Sequence, residues 1–365
     1  MTGHVTGHSA SISLLGLGST VKKTRLTIRD VAKQAGVSHQ TVSRVINGDT
    51  TVRPETRAKV DAAISKLGYQ PNAIARSLAK GRTRTLAYIA PNLTDYTFAR
   101  IIEGAEAEAR LQGYFLISSS APDEVTFAAL INELVPSRRI EGMLVMNPYV
   151  DQRCQHLPHG FPTVFIGGQT HAGDEADSVT LDDEGAARVA TEHLIGLGHH
   201  RIAMITGPLI EDCTRDRIVG YRAALMAAGL PIDAELTIEG DWSASSGHAA
   251  FAQLFDRAAP PTAIFAQNDR MALGALRAAR DRGLSVPDQI AVIGIDDMPL
   301  SSYFDPPLTT MHQDMFAIGR TAAQLLIRAV EKPQAERQHL RLPATLLVRQ
   351  STNHPTSKGG ENSLA

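Results

Sequence analysis

Short apolar runs that alternate with longer amphipathic stretches restrict the fold of this chain more than any other feature. The runs predict strands at 86–90, 114–118, 142–146, 163–166, 201–206, 263–266 and 290–295, and the stretches between them predict helices that include 98–111, 185–197, 217–228 and 271–282. Alternating strands and helices are typical of parallel sheets covered by helices. Roughly 270 residues exceed one ordinary sheet, so we expect two α/β lobes with a ligand cleft between them.

Charge is distributed unevenly along the chain. The formal net charge is -2, but residues 21–84 hold 14 Lys and Arg against 4 Asp and Glu, which is +10. Subtraction from the totals of 36 basic and 38 acidic residues leaves 22 basic and 34 acidic residues elsewhere, which is -12. A basic segment on an acidic body indicates a polyanionic partner for that segment. A solvated basic tail would give the same count, but this segment is patterned as folded helices.

Composition excludes several classes of protein. Cys154 and Cys213 are too few for a disulfide framework and suit a reducing cytoplasm. No apolar run approaches the ~20 residues of a membrane span. Residues 11–18 fail as a signal peptide, because no Lys or Arg precedes them and no A-x-A site follows. We therefore expect a cytoplasmic protein without a membrane partner.

The basic segment is patterned as three short helices. Thr27 and Asp30 have the spacing of a helix start, and Gly36 suits the end of that helix. Ser38 is a good N-cap for a second helix, and Pro54 suits the first turn of a third. Two helices joined by a short glycine-containing turn predict a helix-turn-helix.

The second of these helices carries polar side chains near its start. His39 and Gln40 occupy its first turn, and Arg44 lies one turn beyond Gln40 on the same side. Such a helix enters the major groove N-terminus first, where Gln pairs with adenine and Arg with guanine. A three-helix scaffold with a polar surface would give this pattern without DNA. The charge of +10 and the grouping of these side chains favour DNA binding.

The run 27–49, TIRDVAKQAGVSHQTVSRVINGD, strongly resembles the DNA-binding headpiece of the LacI/GalR family of bacterial transcription regulators. The resemblance implies that His39, Gln40 and Arg44 read bases. It also implies contacts with the phosphate backbone, which position the headpiece without reading sequence. The remaining DNA-binding candidates of the headpiece are Thr27, Ser38, Thr41, Ser43, Asn47, Arg57 and Tyr69.

Residues 69–79 resemble the hinge segment of the same family. Asn72 can cap a helix of about seven residues, and isolated helices below ~12–15 residues are marginal in water, so this helix needs an external partner. In the family, paired hinge helices lie in the minor groove and a leucine enters between base steps. The resemblance gives this role to Leu78, with Ala75 one turn before it. An ordinary linker would explain the same residues.

The acidic body resembles the periplasmic-binding-protein-like core of LacI-type repressors. The matching stretches are 197–208, 240–247, 265–278, 292–299 and 306–314. The resemblance implies a small effector in the cleft, often a sugar or sugar phosphate. The effector-binding candidates are Arg217, Trp242, Asn268, Asp296 and Gln313, to which Asn147 and Tyr96 are added from the loops after two predicted strands. Trp242 is the only tryptophan and suits stacking on a pyranose, although core packing would also explain it.

Departures from the family pattern keep other effectors open. Residues 167–169 are Gly-Gly-Gln where some sugar-binding relatives have an aspartate, and the polar group of Asn147 is shifted by one position. A nucleoside or another metabolite therefore remains an alternative, as does a phosphorylated ligand.

Enzymatic and metal chemistry is weakly supported by the sequence. Cys154, His156 and His159 lie in a proline-rich loop without a matched second pair of zinc ligands. The carboxylates at 182–184 suit a helix start better than acid–base catalysis. We predict no catalytic residues, cofactor or metal, and a sugar-processing enzyme is the weaker alternative.

The resulting prediction is a homodimeric DNA-binding regulator, a repressor, whose affinity for a near-palindromic operator is switched by a small effector. The predicted domains are a disordered arm at 1–24, the headpiece at 25–68, the hinge helix and linker at 69–84, the two-lobed core at 85–350 and a disordered tail at 351–365.

Replacing Leu78 with alanine is expected to weaken operator binding by roughly tenfold or more, because an apolar wedge that kinks DNA is removed. Gel-shift and DNA-bending assays measure this effect. The melting temperature of the core serves as the control and should not change. Unaltered affinity together with unaltered bending would remove Leu78 from the interface.

Overall fold

A computed structural model of the chain describes residues 26–70, 82–148, 153–167 and 176–353, without the side chain of Cys154. The chain divides into two compact units between residues 81 and 82. The predicted arm, most of the predicted tail, and the hinge candidates Asn72, Ala75 and Leu78 lie outside the described residues.

The N-terminal unit is a three-helix headpiece. Its helices are α1 (Ile28–Ala35), α2 (His39–Ile46) and α3 (Pro54–Leu67). The Asp30 carboxylate accepts the backbone N–H and the hydroxyl of Thr27, each at 2.8 Å. Ser38 Oγ accepts the backbone N–H of Thr41 at 3.1 Å. Val42 and Val60 are fully buried between the helices. The predicted helix starts are therefore confirmed, and α2 turns an apolar face to the other helices.

The C-terminal unit contains two six-stranded sheets. The strands are β1 (Thr85–Ala90), β2 (Phe115–Ser120), β3 (Gly142–Met146), β4 (Thr163–Ile166), β5 (Asp177–Leu181), β6 (Ile202–Thr206), β7 (Thr237–Glu239), β8 (Ala263–Ala266), β9 (Ala291–Asp296), β10 (Thr309–His312), β11 (His339–Leu342) and β12 (Thr345–Leu347). The first sheet has the order β11-β5-β4-β3-β1-β2, and the second has the order β12-β10-β9-β8-β6-β7. Every pairing is parallel except that of β12 with β10. The predicted parallel α/β core is confirmed.

Helices cover both faces of each sheet. They are α4 (Tyr96–Leu111), α5 (Glu124–Leu134), α6 (Asp183–Gly196), α7 (Asp212–Ala227), α8 (Ala244–Phe255), α9 (Asp269–Asp281) and α10 (Met315–Glu331). Helices α4 and α10 pack on one face of the first sheet and α5 on the other. Helices α6 and α7 pack on one face of the second sheet, with α8 and α9 opposite. Each sheet with its helices forms one lobe.

The chain passes between the two lobes three times, from β5 to α6, from β10 to α10 and from β11 to β12. Helix α6 thus follows a strand of the first lobe but packs on the second, and α10 does the reverse. The carboxyl ends of the parallel strands of both lobes border a common cleft, as the fold class predicts.

Two predicted domain boundaries need correction. Ser351 is buried, where its Oγ donates to the carbonyl of Val292 at 2.6 Å, and Thr352 bonds to Thr309 at 2.7 Å. The core therefore continues at least to residue 352, because these side chains complete hydrogen bonding beside β9 and β10. At the other end, Arg82 donates to Glu141 at 3.2 Å and so belongs to the core rather than to the predicted linker.

No helix within the described ranges is long and apolar enough to span a bilayer.

Glycines allow α4 and α10 to approach backbone to backbone. A Cβ atom at Gly104 would lie 2.0 Å from the carbonyl oxygen of Phe316, and one at Gly319 would lie 1.9 Å from that of Ile101. Backbone atoms cannot move aside as side chains do, so both positions require the absence of a side chain.

Gly319→Ala is expected to lower the free energy of unfolding by about 1–3 kcal/mol or more, because the added methyl group forces α10 away from α4. Gly196→Ala is the matched control, since a Cβ there meets nothing within 4 Å, and it should be neutral or slightly stabilising. Urea unfolding of the two variants measures the difference. Equal stabilities would show that the helices are not in such close contact.

Candidate DNA-binding and ligand-binding sites

The base-reading candidates lie on the exposed side of α2. His39, Gln40 and Arg44 are exposed to solvent, whereas Val42 and Val45 of the same helix are buried. The Arg44 side chain is 66% exposed and reaches only to 4.0 Å from the Asp49 carboxylate. These three side chains are therefore available for contacts with base edges.

The backbone-contact candidates of the headpiece are more engaged with the protein itself. Arg57 donates to the carbonyl oxygens of Val45 at 3.4 Å and Asp49 at 2.6 Å, and so holds the end of α2. Asn47 donates to Ser43 Oγ at 3.3 Å. Tyr69 packs against the apolar core of the headpiece, while Thr27 and Ser38 are exposed at the helix starts. The phosphate contacts expected of this set remain a prediction.

A cavity of about 200 Å³ lies between the two lobes of the C-terminal unit. Residues at the carboxyl ends of strands from both sheets line it. Four of the seven predicted effector-binding residues are among them, namely Arg217, Trp242, Asn268 and Asp296. The sequence therefore located the cleft and much of its polar wall.

Arg217 is the buried anchor of this wall. It is 5% exposed, and its Nε and Nη2 atoms each lie 2.7 Å from Asp183 Oδ1. Its Nη1 donates to the carbonyl of Gln267, directly after β8. The guanidinium also lies 5.7 Å from the centre of the Trp242 ring. Arg217 thus forms an internal ion pair with Asp183 and also lines the cavity.

Trp242 is held on several sides. Its backbone has a φ of +67°, and its ring occupies the space where a side chain on Gly207 would lie, 2.0 Å from the Cβ position. The indole N–H donates to Glu211 Oε1 at 3.0 Å, and Asn268 Nδ2 donates to the Trp242 carbonyl at 3.1 Å. The ring is therefore presented to the cavity in one orientation.

Two neighbouring acids lie at the carboxyl ends of β8 and β9, with Asp269 after β8 and Asp296 as the last residue of β9. Asp269 accepts Thr310 Oγ1 at 2.6 Å and the Met298 N–H at 2.9 Å, and burial raises its pKa to about 6. Asp296 has a φ of +121°. Burial, with the nearby charge of Asp269, raises the pKa of Asp296 well above its usual value. The Asp296 carboxylate accepts no hydrogen bond within the described residues, so it is free to bind a ligand.

Three predicted effector contacts do not line the cavity. Gln313 is buried behind the wall, with Nε2 3.5 Å from Asp183 Oδ1. Asn147 is buried after β3. Tyr96 is half-buried beside the cavity residue Asp95, and burial raises the pKa of its phenol. Since none of the three is among the lining residues, direct contact with an effector remains a prediction for them.

The predicted effector set lacks several charged residues that line the cavity, among them Arg270 and Glu211. Arg270 donates to Asp95 Oδ2 at 2.6 Å, which joins α9 of the second lobe to the start of α4 in the first. Glu211 follows β6 and binds the Trp242 indole. The position of Glu211 after a strand end was a usable signal. The Asp95–Arg270 pair is separated by 175 positions, and nothing local indicates it.

The sequence left a metal site at Cys154, His156 and His159 as a weak alternative. No group of three or more His, Cys, Asp or Glu side chains suited to a metal occurs among them. His156 Nε2 lies 2.8 Å from Glu124, which gives that ring a protein partner.

Comparisons with known proteins cover nearly the whole chain. Residues 27–72 match the model of bacterial regulatory proteins of the lacI family, and residues 191–352 match that of a periplasmic binding protein-like domain. Catabolite control protein A of Priestia megaterium is 36% identical over 330 residues, which are 90% of this chain and 99% of that protein.

Solved structures that resemble this chain are also transcription regulators. A lac repressor dimer bound to operator and the anti-inducer ONPF has a TM-score of 0.83 at 32% identity, over 90% of this chain and 99% of that one. A complex of the transcriptional regulator CelR with cellobiose has a TM-score of 0.70 at 35% identity, over 90% of this chain and all (100%) of that one.

Arg217→Met is expected to lower the free energy of unfolding by about 3–5 kcal/mol, because it leaves Asp183 buried without its cation. Arg215→Met on the same helix is the matched control, since Arg215 is exposed and donates to one carbonyl, and it should cost less than about 1 kcal/mol. Urea unfolding followed by Trp242 fluorescence measures both. Similar losses of unfolding free energy in the two variants would show that the buried Arg217–Asp183 pair matters no more for stability than the exposed Arg215.

Proposed function

The chain belongs to the lacI family of bacterial regulatory proteins, and on that premise we propose that it is a homodimeric repressor controlled by a small effector. It is a transcription regulator and not an enzyme. The proposal rests on one observation. His39, Gln40 and Arg44 are exposed on α2, and Arg57 holds the end of that helix through a backbone carbonyl.

Operator recognition follows from α2. Gln40 and Arg44 have the donors and acceptors that pair bidentately with adenine and guanine in the major groove. Two headpieces related by a two-fold axis read two half-sites, so the operator is a near-palindrome. The lac repressor dimer bound to operator, to which this chain is similar, supports this arrangement. We place this activity in the cytoplasm, on the nucleoid.

Control by an effector follows from the cavity between the lobes. A ligand that contacts both lobes changes their equilibrium only by its difference in affinity for the two arrangements, typically about 1–3 kcal/mol. Arg217, Trp242 and Asp296 border the cavity from the second lobe, and Asp95 borders it from the first. The proposed ligand is a sugar or sugar derivative, which the CelR complex with cellobiose supports. The hinge residues Asn72, Ala75 and Leu78 are proposed to transmit the change to DNA.

Arg44→Ala is expected to weaken specific operator binding by about 1–3 kcal/mol and to relax base preference at one position in each half-site. Lys66→Ala is the control, because it also removes one positive charge but lies in the last turn of α3. Operator selection from a random library, followed by gel-shift titration, measures affinity and preference. Equal effects of the two variants, without a change in preference, would contradict base reading by Arg44.

A further inference from the structure

The turn that ends α2 fixes the backbone of Asp49. Gly48 has a φ of +76°, a left-handed conformation that glycine adopts without strain. The chain reverses at this residue, and the Asp49 N–H donates to the carbonyl of Arg44 at 2.9 Å. This is the hydrogen bond that closes the end of a helix in the Schellman motif. Because Arg57 of α3 donates to the Asp49 carbonyl at 2.6 Å, the backbone of Asp49 is bonded on both sides.

The side chain of Asp49 is fixed as well. Its Oδ1 atom accepts the Thr51 N–H at 2.9 Å and the Thr51 hydroxyl at 2.6 Å. Its Oδ2 atom lies 4.0 Å from Nε of Arg44. The hydrogen bonds from Thr51, together with the charges of Arg44 and Arg57, lower the pKa of Asp49, so this carboxyl group is an anion at neutral pH. A fixed negative charge thus lies beside the arginine to which base reading is assigned.

This arrangement leaves the donors of Arg44 free. A separation of 4.0 Å is too long for a hydrogen bond, so Asp49 attracts the guanidinium without occupying one of its N–H groups. The Arg44 side chain remains 66% exposed. A guanidinium recognises guanine through two N–H groups aimed at O6 and N7. With Nε turned towards Asp49, Arg44 keeps its Nη1 and Nη2 groups for the base.

Resting on the proposed function, we infer that Asp49 is a positioning residue for operator recognition, which orients Arg44 towards the guanine of each half-site. Arginine also bonds to phosphates, and those contacts carry no sequence information. An oriented guanidinium loses less conformational freedom when it binds the base. Turning away to a phosphate forfeits the attraction of Asp49. The carboxylate therefore sharpens base preference without touching a base.

The effects of Asp49 on preference and on affinity have opposite signs. Residues 21–84 carry a charge of +10, which attracts DNA, and a carboxylate at the end of α2 opposes this attraction by repelling phosphates. Removing the charge alone should strengthen binding to any duplex and weaken discrimination between operators. Damage to the fold of the headpiece would weaken both. The two signs therefore separate positioning from a merely structural role.

Asp49→Asn in the full chain tests the inference, because the amide oxygen still accepts the hydrogen bonds from Thr51 while the charge is lost. Asp61→Asn is the matched control, since it removes the same charge from an exposed position of α3. Anisotropy titrations measure binding to three kinds of duplex: the selected operator, operators altered at the base pair whose preference Arg44→Ala relaxes, and a random sequence.

Asp49→Asn is expected to lower the preference at that base pair by roughly twofold to fivefold, which matches the contribution of an exposed ion pair. Its affinity for the random duplex should rise. Asp61→Asn should raise the affinity for the random duplex as well, but leave the preference unchanged. An unchanged preference in Asp49→Asn would overturn the inference. So would an equal loss of preference in both variants, or a loss of preference together with weaker binding to every duplex.

The double variant Arg44→Ala/Asp49→Asn shows whether Asp49 acts through Arg44. No further change of preference at this base pair is expected when Asp49→Asn is added to Arg44→Ala. A further loss would show that Asp49 acts on the base independently, and would overturn the inference.

The wild-type chain is measured in the same series. If it selects no operator, the proposed function itself is refuted. If it selects one and a variant gives an overturning result, only the role of Asp49 is refuted.

Discussion

The buried ion pair between Arg217 and Asp183 is the interaction on which the cleft depends. Asp183 begins α6, directly after the chain has crossed from the first lobe, and Arg217 lies on α7. The same guanidinium binds the carbonyl of Gln267 and lies beside the ring of Trp242. A buried pair of this kind contributes little net stability compared with an apolar replacement, but losing either partner is costly. It therefore fixes one arrangement of the strand ends that form the site.

A different kind of contact joins the second lobe to the first across the cleft. The Asp95–Arg270 pair crosses the cleft and is partly exposed, with Arg270 39% and Asp95 17% accessible. Solvent-exposed pairs contribute up to about 1 kcal/mol. Such a contact favours closure weakly, and a ligand that touches both walls is then able to decide the equilibrium. The cleft thus combines a buried pair within one lobe with a partly exposed, weaker pair between the lobes.

Local chemistry allowed much of the fold to be predicted. Strands β4 and β8 begin and end where their apolar runs do, and Ser38 caps α2 as its position before that helix indicated. Strand β5 was missed because Asp177 and its neighbours are polar, although Asp177 is fully buried by ion pairs with Arg328 and Arg337. Contacts between distant residues were not predictable, since no local pattern shows which strand ends meet.

Both units follow one physical rule. In the headpiece, the guanidinium of Arg57 on α3 donates to backbone carbonyls and so holds the end of α2. Arg44, which lies on α2, stays exposed. In the core, the Asp269 carboxylate accepts hydrogen bonds from Met298 after β9 and from Thr310 of β10, while Asp296 beside it accepts none within the described residues. A charged group without a protein partner is costly unless water or a ligand serves it. Fully bonded neighbours hold the backbone around Arg44 and Asp296, and the proposed function gives these two side chains the contacts with DNA and with the effector.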